Sequence, residues 1–180
     1  LAIEPGNPAA AEGLERAVGL PEVLELMQTA RTRELAGDRA GALDALAAAL
    51  ALDPAYRPAR ESLARIKNDI AGEDFQQAIS QALAALAQGR LEAAGTALKR
   101  ARTIRPADPA VIDLGDRLQR ARLARQLDAL QKEAATLEAV ERWEDALKVC
   151  ERALALDPLA AFALGCKERA GLRFELDRRL

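Results

Sequence analysis

Three stretches decide the fold: LALDP at Leu50–Pro54, RTIRP at Arg102–Pro106 and LALDP at Leu154–Pro158. Each reads as the end of a helix closed by proline, a residue without the backbone N–H that a helix interior requires. From 54 to 106 and again from 106 to 158 the prolines recur at an interval of 52 residues, and an earlier LAIEP at Leu1–Pro5 precedes Pro54 by 49. Spacing this regular marks an internal repeat.

Upstream of each of these three prolines lies a pair of apolar-periodic segments. In the middle copy Phe75, Ala78, Ile79, Ala82, Leu83 and Leu86 share one helical face. After Gln88-Gly89-Arg90 a second face follows with Leu91, Ala94, Leu98, Ala101 and Ile104. Two amphipathic helices joined by so tight a turn must lay their apolar faces together. The first copy has Leu24, Met27 and Ala30, then Gly37-Asp38, then Ala42, Leu46 and Ala49; the third has Leu127, Leu130, Ala134 and Leu137, then Trp143, Ala146, Cys150 and Ala153.

On these residues the chain resembles the tetratricopeptide repeat family. The family's small first-helix residue is matched by Ala30, Ala82 and Ala134, and its second-helix alanines by Ala42 with Ala49, Ala94 with Ala101, and Ala146 with Ala153. ERWEDALKVCERALALDP, Glu141–Pro158, is the most family-like stretch. Alanine at a helix crossing lets two backbones approach to packing distance. The large first-helix aromatics are absent, with Leu26, Ala78 and Leu130 at the tryptophan place and Arg33, Ala85 and Leu137 at the tyrosine place.

The period departs as well. A tetratricopeptide repeat recurs every 34 residues, so the longer interval leaves room for about one more helix of four to five turns per unit. The expected fold is therefore all-α, a TPR-like α-solenoid of helical hairpins with an extra or extended helix per repeat. It is read as one helical-repeat domain over residues 1–180, with helix pairs at 23–54, 75–106 and 127–158. Residues 1–22 read as the end of a preceding repeat plus a connecting helix, and 55–74, 107–126 and 159–180 as connecting or capping helices. Gly19-Leu20-Pro21 predicts a break before the first pair, and Gly72 a weaker one before the second. Between Pro109 and Arg142 there is no proline and only Gly115, which predicts one continuous helix there.

Composition narrows the function. Half of the 180 residues are hydrophobic but only 3% are aromatic, so the core is built mainly from leucine and alanine. A net charge of -2 with 30% charged residues gives no global field for nucleic acid or acidic membranes. The longest apolar run, Ala45–Leu52, is far short of the roughly 20 residues that cross a bilayer. Histidine is absent, which excludes histidine-based hydrolase triads. Adjacent carboxylates such as Glu144 and Asp145 point in different directions around a helix. No catalytic, metal or cofactor site is expected. Leu1 in place of methionine, together with LAIEP, predicts that further chain precedes this segment, and the compartment stays open.

The resemblance implies a non-catalytic scaffold whose first helices line a groove for a peptide or protein partner. The groove-facing candidates are Met27 and Arg31, Ile79 and Leu83, and Gln131 and Ala135. They lack the lysine and asparagine set that clamps acidic chaperone carboxyl ends, and Ile79 and Leu83 have a second reading as residues buried under the extra helix. The alternative function is a structural spacer or self-association segment of a larger, membrane-anchored or multidomain protein. Lys99–Arg125 is rich in arginine and reads either as a solvated face or as a surface for an acidic partner; without aromatic residues to stack on bases, nucleic acid is not expected. Trp143 is expected to pack on the preceding turn and Tyr56 to cover a helix end. Cys150 and Cys166 stand eight residues either side of Pro158, hence at similar height in an antiparallel pair. Rotation decides whether they face each other, and the expectation is two reduced, buried fillers.

Leu98 sits on the inner face of its helix, so Leu98→Ala is expected to cost about 2–5 kcal/mol through the cavity it leaves. Urea titration measures this; a loss below about 0.5 kcal/mol, the range of surface substitutions, would place Leu98 on the wrong face.

Overall fold

The structure is a computed structural model that describes residues 8–177, and every regular element among them is an α-helix. In chain order these are α1 (Pro8–Leu35), α2 (Arg39–Leu52), α3 (Arg57–Ala87), α4 (Leu91–Ile104), α5 (Pro109–Ala139), α6 (Trp143–Leu156) and α7 (Ala161–Asp177). The LAIEP motif lies outside the described residues. The helix starts share the interval of the prolines: α2, α4 and α6 begin at 39, 91 and 143, and α3, α5 and α7 at 57, 109 and 161, each 52 residues after the last.

The residues beyond one helical hairpin do not form separate helices. Segments 55–74 and 107–126 run on into the next pair, so α3 and α5 are each 31 residues long beside 14-residue partners. Gly115 interrupts nothing, as expected. The two predicted breaks are corrected: Pro21 lies inside α1 and Gly72 inside α3. Pro21 is exposed, so water can solvate the carbonyl that the proline leaves unbonded. Packing continues on both sides of it. Val23 is buried just beyond, and before it Arg16 Nε donates to Asp53 Oδ2 at 3.0 Å.

The chain divides into two compact units, Leu1–Phe75 and Gln76–Leu180, with α3 contributing residues to each. In the first, Val23 and Ala30 of α1, Ala42, Ala45, Leu46 and Ala49 of α2, and Ala59 and Ile66 of α3 form the core. Tyr56 packs against its edge. In the second, α4 buries Leu91, Ala94, Ala97, Leu98 and Ala101, and α5, α6 and α7 share a cluster that includes Leu130, Ala134, Val149, Ala153 and Ala163. Trp143 is half-buried, with the Arg173 guanidinium 5.8 Å from its ring centroid.

The expectation of reduced thiols is also corrected: Cys150 and Cys166 are buried but bonded to each other, with Cα atoms 6.4 Å apart. In repeat register Cys150 occupies the place of Leu46 and Leu98, and Cys166 that of Ser62 and Leu114. These are facing positions of a short helix and the helix that follows it. The rotation that height alone left open is therefore fixed by the register. In the chain-entropy description, closing a loop of 16 residues stabilises by about 3 kcal/mol.

The turn after each long helix repeats too. Gly37, Gly89 and Glu141 hold the left-handed conformation with φ of 81°, 69° and 59°. The next residue's N–H reaches back five residues in every copy: Asp38 to the Arg33 carbonyl, Arg90 to Ala85 and Arg142 to Leu137. That is the closing bond of a Schellman turn, a position that favours glycine because a Cβ is crowded there. Glu141→Gly is accordingly expected to stabilise by about 0.5–1 kcal/mol, read as a higher denaturation midpoint at unchanged m-value. A lower midpoint would show that the Glu141 side chain contributes more than its backbone costs.

Candidate functional site

The residues expected to line a groove fall into three local settings. In the first unit, Met27 is half-buried against the core and Arg31 is exposed, and both line a depression of about 1060 Å³. Its walls come from α1, α2 and α3, with Leu46 at the base and Ser62 and Arg65 opposite. Ile79 is half-buried and Leu83 is 44% exposed, so the reading that hides both under another helix does not hold for Leu83. Gln131 and Ala135 are exposed on α5 and line none of the described depressions. Met27 and Arg31 are thus brought together, while the other two pairs stand as surface positions on their own helices.

Charge in the first-unit depression is organised by Glu34. Arg65 on α3 grips it with two bonds, Nη1 to Oε1 at 2.7 Å and Nη2 to Oε2 at 2.8 Å. This paired geometry holds the Glu34 carboxyl below its ordinary range, mainly through the hydrogen bond to Arg65, against a smaller opposing effect of burial. Glu73 is lowered likewise by Arg39, which joins α2 to α3.

A second depression, of about 670 Å³, lies between α4 and the first half of α5 in the second unit. Sequence reasoning marked its residues only as part of the arginine-rich stretch, without seeing that two helices converge on them. Gly95 of α4 and Gly115 of α5 are half-buried on its surface. A Cβ at Gly95 would stand 3.0 Å from Arg122 Nη2, and one at Gly115 3.5 Å from Arg102 Nη2, so each arginine lies over the opposite helix's glycine. Arg122 also reaches Glu92 at 3.3 Å, whereas Lys99 and Arg102 form no salt bridge among the described residues. Elsewhere in the stretch Arg117 pairs with Asp113 at 2.9 Å, and Arg120 Nε donates to the Asp116 carbonyl at 3.3 Å.

No group of His, Cys, Asp and Glu among the described residues is arranged to hold a metal ion. No described helix is long and apolar enough to cross a membrane. The chain matches no family model, no curated protein and no solved structure.

Because the folded-state pKa of Glu34 is depressed, its ion pair adds stability above the unfolded pKa, and that contribution is lost as pH falls through the folded value. Urea midpoints of the wild type are expected to decline between about pH 5 and pH 3, and Glu34→Gln to decline less steeply over that window. Identical slopes would show that the Arg65 pair carries no net stability.

Proposed function

We propose that this chain is a non-catalytic scaffold of tetratricopeptide-like helical hairpins that presents its surface to a protein or peptide partner. The observation that carries this reading is the alternation of long and short helices on a 52-residue period, which leaves open depressions between neighbouring helices. Stacked helical repeats make extended binding surfaces of this kind. Apolar groups beside the expected groove residues support it: Leu24 and Leu35 on α1 are 49% and 83% exposed, and Leu83 adds a further exposed side chain.

Self-association is a second reading, favoured by one observation in repeat register. Leu14 on α1 is 67% exposed, whereas Ile66, Leu118 and Ala170 at the equivalent positions are buried. Val18, one turn on, is exposed as well.

The test pairs capture with a surface change. Immobilised wild-type chain is expected to retain a defined protein partner, identified by mass spectrometry, and Arg31→Glu with Leu83→Glu to lose it at unchanged helicity. Equal capture by both would rule out these positions. Concentration-dependent sedimentation abolished by Leu14→Asp with Val18→Asp would favour self-association instead.

A further inference from the structure

The second-unit depression is a local departure from the repeat. Counting back 52 residues, Gly95, Arg102, Gly115 and Arg122 stand where the first repeat has Leu43, Leu50, Leu63 and Ile70. Those four apolar side chains all pack against the first-unit core. Counting forward, Leu147 and Leu154 restore leucine on α6 at the Gly95 and Arg102 places. The same α-helical framework thus carries an apolar seam in one copy, and in the next a seam with two side chains deleted and two replaced by guanidinium groups. A cation in the last turn of α4 suits the helix dipole, which accounts for Arg102 alone. It does not account for Arg122 in the interior of α5 or for the two glycines.

We infer that the α4–α5 depression is a binding site for an acidic peptide segment of a protein partner, with Arg102 and Arg122, each seated over the opposite helix's glycine, pairing with its carboxylates. The inference rests on the scaffold reading above and gives it a site and a partner chemistry. Guanidinium forks bind carboxylates and phosphates in the same paired geometry, so the rest of the depression selects between them. Leu98 and Leu118 lie at its base and Ile112, 55% exposed, at its side, which suits an apolar residue set between the acidic ones. Glu92 and Asp116 also line it, so an anionic ligand must set its charges against Arg102 and Arg122 and away from these two, which the spaced carboxylates of a peptide can do. No aromatic side chain lines it to stack a base. Glu92 is 91% exposed, so the ligand displaces only a solvated partner from Arg122.

The experiment is fluorescence anisotropy with a labelled peptide of sequence ELEELE, a KLKKLK control and inorganic phosphate as competitor. The wild type is expected to bind ELEELE with an affinity that falls as salt rises, and to ignore KLKKLK. Arg102→Gln with Arg122→Gln, changes at the surface, should weaken binding about tenfold or more. The fourfold variant Gly95→Leu, Arg102→Leu, Gly115→Leu, Arg122→Ile rebuilds the first repeat's seam and should remain helical while losing the peptide. Binding within twofold of wild type in the arginine variant, no wild-type binding up to about 1 mM, or displacement by equimolar phosphate would each overturn the assignment. A partner captured by wild type and arginine variant alike overturns this site and leaves the scaffold reading intact, whereas a chain that captures no partner by any face ends the scaffold reading itself.

Discussion

A fourteen-residue helix of mostly small side chains does not hold together alone in water, because nucleation costs more than so few turns return. Each short helix here is fourteen residues long, and the constraint on the structure is that it must be held from outside. Alanine makes this possible. Ala42, Ala45 and Ala49 on α2, and Ala94, Ala97 and Ala101 on α4, are all nearly or fully buried. Their small side chains allow close backbone approach, so dispersion contacts accumulate along the whole helix around the buried leucines Leu46 and Leu98. Long helices follow from the same need, since one long helix can support two short ones, one along each half.

That support explains which breaks fail. A glycine or proline in isolation costs a helix roughly 1 or 3 kcal/mol, and Gly72 and Pro21 carry that cost in α3 and α1. Flanking burial outweighs it: Ile66 and Phe75 are buried either side of Gly72, and Val23 follows Pro21. Local propensity was legible at both points, but the packing that overrides it comes from residues distant in sequence. The helical class, the period and the inner faces were legible because proline spacing and alanine periodicity are local signals. Leu98 and Ala101 are buried where their spacing placed them.

The candidate site was legible in pieces only. Arginines between Lys99 and Arg125 were visible as a charged run, but a run does not tell which side chains share a surface. Arg102 and Arg122 line one depression from two helices, and the deciding signal was available: aligning the copies 52 residues apart sets them against Leu50 and Ile70. The same alignment sets Cys150 and Cys166 at the places of Leu98 and Leu114, both buried, where simple height along the helices left their facing undecided. Segments that share a 52-residue interval serve as references for one another, and departures between them separate what the helical framework needs from what one segment carries besides.

Sharing one long helix between two hairpins also fixes how such a chain can change in length. A residue inserted or deleted inside α5 would turn everything beyond it by about 100°, carrying Leu130 and Ala134 off the face that meets α6 while Val111, Leu114 and Leu118 stayed in place. The long helices are therefore phase-locked, and a change of length inside one is tolerable only in steps near a whole turn. Between Pro5 and Pro54 the sequence is three residues short of the other intervals, close to one turn. Substitution is the open route to new surface chemistry along these helices, and length variation inside them is confined to steps that keep helical phase.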